Sequence, residues 1–386
     1  VLNFASYFFA PGGWGTHARS FAGALHRLEP IALWPWQSPR PLAEPERGVP
    51  ELLAAGLEPR ADAPIVAIVP GLQMPEIVGR CKIGFFVWET THIHRDFCQL
   101  LDRFDYLWVP SLWQREIAIA SGLAGDRIGV VPEGVDPEFF QPKFVQPKLV
   151  SVGRENQDDW DLETRPFRFV CVGKWERRKG IDLLIRAFGQ AFSPHDRVEL
   201  VLHSHNGYLP NFDLAAAIAQ AVRRLGAEHH RILPSHPAGR SGLTRLLHSA
   251  DAFVLPTRGE GWGLPILEAM ACGLPCIVTD WSGLRAFAHP GNAYLIPVKA
   301  LVPVDDPQFF DPNLDWGRWA EPDSEALVEL MRRVYHDRAA ARRIGAIARA
   351  EAAEFWTWDR AAQTAHQHLA ALGLVAGRST EGDRFR

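Results

Sequence analysis

The run from Arg258 to Gly273, Arg-Gly-Glu-Gly-Trp-Gly-Leu-Pro-Ile-Leu-Glu-Ala-Met-Ala-Cys-Gly, constrains what this chain can fold into more than any other stretch. Just before it, Ala252-Phe253-Val254-Leu255 is a short apolar run of the kind that makes a buried strand. Pro265 suits the first turn of a following helix, and Gly273 would stop that helix. Strand, glycine loop and helix in this order are the repeating unit of a parallel α/β sheet. Gly259, Gly261 and Gly263 let backbone N–H groups approach a ligand closely at the positive end of a helix, which describes an anion site. Glu260 in the loop and Glu268 in the second helical turn can face one cavity, and each carboxylate can accept paired hydrogen bonds from vicinal hydroxyls. A solvated helix face with a capping glutamate is the plainer account, but it leaves the three glycines unexplained.

Glu260, seven intervening residues and Glu268, set in Gly-Glu-Gly-Trp-Gly-Leu-Pro-Ile-Leu-Glu-Ala-Met-Ala-Cys-Gly-Leu-Pro, resemble the signature of retaining glycosyltransferases of family 4. That resemblance implies an α/β chain of the GT-B fold, with two Rossmann-like doubly wound domains facing each other across a donor cleft. It also implies a nucleotide-sugar donor, which carries vicinal hydroxyls at its ribose and at its sugar.

At 386 residues the chain exceeds one typical domain, and a prior of about 100–200 residues per domain suggests two. Hydrophobic residues make 47%, charged residues 22% and the formal net charge is -4, so neither disorder nor a nucleic-acid footprint is indicated. No apolar stretch approaches the roughly 20 residues a membrane helix needs, and the first residues lack a basic signal region, so a cytoplasmic protein is expected. The five cysteines, Cys81, Cys98, Cys171, Cys272 and Cys276, read as reduced packing residues.

Apolar runs alternate with helical patterns in both halves. Strands are expected at 2–8, 65–69, 83–87, 106–109 and 128–131, then at 167–172, 198–202, 231–233, 252–255 and 276–279. Stretches 30–50 and 302–319 read as irregular, and 136–166 as a Pro-rich, charged linker. The expected domains are therefore 1–165 and 166–354, which the resemblance implies to be the acceptor-side domain and the nucleotide-sugar-binding domain. A final helix over about 355–372 resembles the segment that crosses back to the first domain in GT-B proteins, and 373–386 is a tail.

After the strand at 167–172 come Gly173, Lys174, Trp175, Glu176, Arg177, Arg178, Lys179 and Gly180, a gathering of cations at a strand's C-terminal edge. Charge growing on a leaving nucleoside diphosphate is stabilised by a lysine fixed at such a place. The family resemblance puts a basic pair at Lys174 and Lys179, with Lys174 replacing the more usual arginine. Arg177 and Arg178 read instead as solvated loop cations. Near the start, Pro11-Gly12-Gly13-Trp14-Gly15 follows the first strand and opens a helix over 16–27; it resembles the glycine loop that approaches the donor from the first domain. Where relatives place a histidine close to the reacting sugar this chain has Glu89, followed by His92 and His94, which read as surface histidines. Gly134 is expected to take a turn geometry other residues resist. Among the 14 Trp, Trp14, Trp88, Trp175 and Trp262 fall in expected cleft loops, where sugar stacking and simple packing are equally good readings. Asp158-Asp159-Trp160-Asp161 reads as a charged loop and not a metal site.

These readings imply a metal-independent hexosyltransferase, with no cofactor beyond its nucleotide-sugar substrate and a carbohydrate or lipid-linked acceptor. No nucleic acid and at most peripheral membrane contact are expected. Glu260, Lys174, Lys179 and Glu89 are the catalytic candidates; Gly12, Gly13, Gly173, Gly261, Trp262, Gly263, Leu264 and Glu268 are the donor-binding ones. Base contacts are expected near 231–234. The rival readings are a GT-B sugar-nucleotide epimerase and a non-catalytic nucleotide-sugar-binding scaffold.

Overall fold

The computed structural model describes residues 1–72, 74–142, 165–207, 209 and 211–376. The Asp158–Asp161 stretch, most of the expected linker and the end of the tail lie outside the described residues. Contacts divide the chain into two units: the first comprises Val1–Val87, Arg95–Gly134 and the segment from Trp356 onward, and the second Trp88–His94 and Val135–Phe355.

The first unit is a six-stranded parallel sheet ordered β2-β1-β3-β4-β5-β6. Its strands are β1 (Leu2–Ser6), β2 (Ile31–Pro35), β3 (Ile65–Val69), β4 (Lys82–Phe86), β5 (Tyr106–Val109) and β6 (Ile128–Val130), with helices α1 (Gly12–His26), α2 (Val49–Ala55), α3 (Arg95–Leu101) and α4 (Leu112–Ala120). β1 and β3 are buried along their whole length, as a parallel strand covered on both faces must be. β2 falls inside a stretch expected to be irregular; flanked by prolines and partly exposed, it carries little strand pattern of its own. α1 begins at Gly12, so the expected loop glycines are themselves the helix's first turn, where backbone N–H groups have no partners within the helix.

The second unit runs β7 (Phe167–Lys174), α5 (Ile181–Ala191), β8 (Val198–His205), α6 (Leu214–Leu225), β9 (Ile232–Pro234), α7 (Gly239–His248), β10 (Ala252–Leu255), α8 (Leu264–Ala271), β11 (Cys276–Thr279) and β12 (Tyr294–Ile296). Its sheet is again parallel and six-stranded, ordered β12-β11-β10-β7-β8-β9. The order reverses beside β7 and β10, the place where an open α/β sheet leaves room for a ligand. A separate antiparallel hairpin, β13 (Val298–Pro303) and β14 (Arg318–Pro322), flanks the stretch expected to be irregular and overlaps it only at its two ends. α9 (Ser324–His336) and α10 (Arg338–Phe355) follow.

The final helix, α11 (Trp358–Ala371), clusters with the first unit and lies along α1. Gly134 meets its start: a Cβ there would lie 2.3 Å from the Trp358 nitrogen. Close approach of backbone, and not the positive φ expected from sequence, is what demands glycine at that position. All five cysteines are free thiols, and Cys171, Cys272 and Cys276 are buried.

Candidate functional site

The loops after β7 and β10 meet at the C-terminal edge of the second sheet. Glu176 starts a tight 3-10 turn, Arg177–Lys179, and a turn of three residues sends its side chains in different directions. Arg177 points outward, half exposed, to pair with Asp305. Arg178 and Lys179 point inward and are 3% and 7% exposed. Arg178 is therefore not the solvated cation expected from sequence: the turn buries it among partners both near and distant in the chain.

Lys179 Nζ donates to Glu260 Oε1 at 2.6 Å. The Arg178 guanidinium donates to the Gly259 carbonyl at 2.7 Å and pairs with Glu176, with Glu89 at 3.1 Å and with Glu260 at 3.4 Å. Three carboxylates thus surround two cations in the protein interior. Burial pushes the Glu260 carboxyl up, but Lys179, Arg178 and a hydrogen bond from Thr257 outweigh it and hold the group below its ordinary value. Glu89 goes the other way. Crowded by protein atoms, it is raised by burial, eased by Arg178, and raised again by Glu176 and Glu260. Its side chain nonetheless stays 36% open.

The Glu260 N–H donates to Ser282 Oγ at 2.9 Å, and its carbonyl accepts from Gly283 N–H at 3.0 Å. Ser282 takes a left-handed φ of 59°, and a Cβ on Gly283 would lie 2.0 Å from the Gly261 carbonyl oxygen. Gly263, at φ 108°, caps α8, and a Cβ there would strike Leu284 at 2.6 Å. Pro265 lies in the first turn and Gly273 follows the helix end, both as the sequence predicts. Leu264 opens α8 and Glu268 lies one turn on, 8% exposed.

Trp262 is 2% exposed and packs on Phe287, their ring centroids 5.2 Å apart. Packing, and not a sugar face, accounts for it. Trp88 is likewise buried, stacked on Trp316 at 5.5 Å. His94 is 4% exposed and meets Trp316 edge-on at 4.7 Å, so it is no surface histidine; His92 stays partly open near Asp315. Trp175 packs against Phe212.

The hairpin β13–β14, which sequence patterning missed, holds the converging loops. Its Asp306 accepts from Arg177 N–H at 3.0 Å, and Glu321 takes the buried Arg258 guanidinium at 2.8 Å. Thr91 N–H donates to the Arg318 carbonyl at 2.9 Å, and Arg318 N–H donates back to Thr91 Oγ1 at 2.7 Å. Residues 88–94 are thereby clamped to the second unit.

Lys174 ends β7 beside His205 of β8, whose imidazole is lowered by burial and then by the Lys174 charge. Gly173 lies under the Lys179 stem, where a Cβ would make only ordinary contacts at 3.5 Å. Arg231, just before β9, pairs with Glu199 at 2.9 Å. The structure thus brings Glu89, Lys179, Glu260 and the adjacent Gly259–Gly263 loop together around Arg178, with Gly173 beneath Lys179. Gly12 and Gly13 open α1 in the first unit, and beyond the local backbone nothing described lies within 4 Å of where a Cβ on either would be. Among the described residues, no group of three or more His, Cys, Asp or Glu is placed to hold a metal ion, and no helix is long and apolar enough to cross a membrane.

Residues 166–310, which hold β7 to β12 together with Glu176, Arg178, Lys179, Glu260 and Glu268, match the family Glycosyl transferases group 1. The chain is 40% identical over 80 residues to a D-inositol 3-phosphate glycosyltransferase of Jonesia denitrificans, 20% of this chain and 18% of that one. It therefore spans well under two thirds of that curated relative's length. In fold it is similar to sucrose-phosphate synthase from Thermosynechococcus elongatus, with a TM-score of 0.69 at 18% identity over 96% of this chain and 98% of the other. Anabaena HepE, solved in complex with UDP, matches with a TM-score of 0.64 at 15% identity over 96% and 99%. The two doubly wound parallel-sheet domains are those of GT-B glycosyltransferases.

Proposed function

We propose that this chain is a retaining, family 4 glycosyltransferase that moves a hexosyl group from a nucleotide-diphosphate sugar to a hydroxyl of a carbohydrate or lipid-linked acceptor, in bacterial glycan or polysaccharide biosynthesis. The observation that carries the reading is the buried Lys179–Glu260 pair at 2.6 Å on the C-terminal edge of the second sheet, inside the glycosyl transferases group 1 region.

A Lys ammonium has three donors, so the one given to Glu260 leaves others for a phosphate oxygen. In the proposed reaction Lys174 and Lys179 stabilise charge on the leaving diphosphate, with the backbone N–H groups at the start of α8. Glu268 holds the ribose diol. Glu260, kept ionised by its cations, accepts from sugar hydroxyls and faces positive charge developing at the anomeric carbon. The departing phosphate oxygen takes the acceptor proton on the face where the new bond forms, which gives retention. Gly12 and Gly13 present backbone to the donor. No metal enters this scheme, because the protein's own cations supply the charge.

The test is a thermal-shift panel with UDP, GDP and ADP and their common sugars, on the native chain and on Glu268→Ala and Lys179→Ala. One nucleotide should stabilise selectively, by about 2.7 kcal/mol at 100 times its dissociation constant, and the variants should lose the effect. The matching sugar nucleotide should then release its diphosphate slowly in water. An anomeric product of inverted configuration, or activity abolished by EDTA and restored by Mg²⁺, would overturn the mechanism; turnover of the donor with no diphosphate released would point to an epimerase.

A further inference from the structure

Arg178 gathers groups from three separate parts of the chain: Glu176 two residues earlier, the Gly259–Glu260 loop, and Glu89. It does so while almost wholly buried. A planar guanidinium offers five N–H donors in a fixed fork, so carboxylates that share it are held at fixed angles to one another. The backbone is equally constrained, since a Cβ on Gly259 would lie 2.2 Å from the Glu89 carbonyl oxygen. From the other side, the Thr91–Arg318 hydrogen bonds and the Trp88–Trp316 stack pin the segment that carries Glu89.

The charges around this fork do not balance. Glu89, Glu176 and Glu260 face Arg178 and Lys179, so full ionisation leaves one negative charge in surplus. Glu176 and Glu260 are buried at 9% and 4% exposure, whereas the Glu89 side chain keeps 36%. Glu89 is thus the most open member of the group, beside the buried Glu260.

We propose that Arg178 is a positioning residue that fixes the carboxyls of Glu89 and Glu260 as a rigid pair, and that this pair reads the arrangement of hydroxyls on the transferred sugar. The inference rests on the transferase reading above and assigns sugar discrimination to that same site. Two acceptors held at a set separation suit one stereochemical pattern of hydroxyls, and an epimer leaves a carboxylate without its partner. Arg178 touches no substrate itself. The direction of the Glu89 shift agrees with this placing: Arg178 is the main group that opposes the upward push of burial.

Three variants test it: Glu89→Gln, Arg178→Lys, and the double variant Arg178→Gln/Glu176→Gln. The double variant removes one positive and one negative charge, so that the fold survives, and unchanged circular dichroism and thermal unfolding check this. With the nucleotide sugar that the wild type turns over, the double variant should lose about 100-fold in kcat, the scale of a reacting group misplaced by an ångström, with KM for the donor changed far less. Discrimination between that donor and its epimer at one sugar hydroxyl should fall at least about 10-fold in Glu89→Gln and in the double variant. Arg178→Lys should restore part of both, as a point charge in place of the fork.

An arm independent of activity uses ¹³C-carboxyl NMR of glutamate-labelled protein, the Glu89 signal being the one that Glu89→Gln removes. Its titration midpoint should rise in the folded double variant. A folded double variant with wild-type kcat, epimer discrimination and Glu89 midpoint overturns the inference. If the wild type neither binds a nucleotide nor releases one, the transferase reading fails, and an unmoved Glu89 midpoint then decides separately against Arg178 as its positioning residue.

Discussion

Two glycine-rich segments follow a strand at the C-terminal edge of a parallel sheet, Gly12 and Gly13 after β1 and Gly259 to Gly263 after β10, and they use glycine for opposite reasons. In the second, the missing side chains are replaced by protein: Gly259 abuts the Glu89 carbonyl, Gly263 abuts Leu284, and Gly283 beside them abuts the Gly261 carbonyl. In the first, Gly12 and Gly13 face open space. Their neighbour Gly15 is packed like the second group, with the Ala10 carbonyl where a Cβ would be. A glycine-rich turn is therefore not one kind of feature. Tight glycines let loops close around a charged cluster, and open ones leave backbone exposed.

The largest effect should come from breaking the charged cluster that the tight glycines permit. Lys179→Met leaves Glu260 buried with Arg178 alone, 3.4 Å away, and should cost about 3–5 kcal/mol in denaturant unfolding. Gly283→Ala should follow at about 1–3 kcal/mol, because the obstacle is backbone and cannot rotate away. If Gly283→Ala were as stable as wild type, the contrast between the two segments would lose its basis.

Acid sharpens the comparison within the cluster, because Glu260 and Glu89 respond with opposite signs. Glu260 is held below its ordinary value in the folded protein, so its contribution is present above the unfolded value and is lost as pH falls through the folded one. Glu89 is raised, so its contribution is present below the unfolded value and is lost as pH rises from there through the folded one. Unfolding curves of Glu260→Gln and Glu89→Gln against wild type should therefore diverge with pH in opposite directions. The deficit of Glu260→Gln should shrink toward acid, while Glu89→Gln should gain on wild type as pH rises above the ordinary carboxylate range. The second effect is the smaller, since Glu89 is partly open to solvent. Parallel curves would mean that the two carboxyls do not share one surplus charge.

Sequence and structure agree where a local pattern decides the outcome. β3, β5, β10 and β11 occupy the residues expected, because an apolar run bounded by turn residues has few alternatives in a parallel sheet. The start and end of α8 follow from Pro265 and Gly273 for the same reason. The hairpin β13–β14 is the counter-example. β13 is largely open to solvent, the strands are bounded by prolines, and they are held by partners such as Thr91 and Arg258 that no local pattern reveals. Arg178 is not legible in the sequence, because three consecutive cations look alike there. The signal was the tight Glu176–Gly180 turn, in which Gly180 has a left-handed φ of 68° and cannot leave all three pointing outward. Of its charge partners Glu176 is two residues away, while Glu89 and Glu260 lie far off before and after it in the chain, so only the fold shows that they converge.

The smallest effect on stability should be the most informative about function. Gly13 lies in the first turn of α1 with no left-handed φ and nothing near its missing Cβ, so alanine fits without strain. Replacing a helical glycine in a compatible conformation removes freedom from the unfolded chain and should stabilise Gly13→Ala by about 0.4–1 kcal/mol. Gly12→Ala should do the reverse, since its φ of 76° disfavours a side chain. A residue that costs stability and packs against nothing needs another explanation, and exposed backbone for a donor phosphate or sugar supplies one. Gly13→Ala should accordingly unfold at a higher temperature than wild type and yet show weaker nucleotide-sugar binding, by calorimetry, and slower turnover. Wild-type binding in a stabilised Gly13→Ala protein would remove the open glycines from the donor site. The tight glycines of the second domain would then be the only ones the proposed chemistry requires.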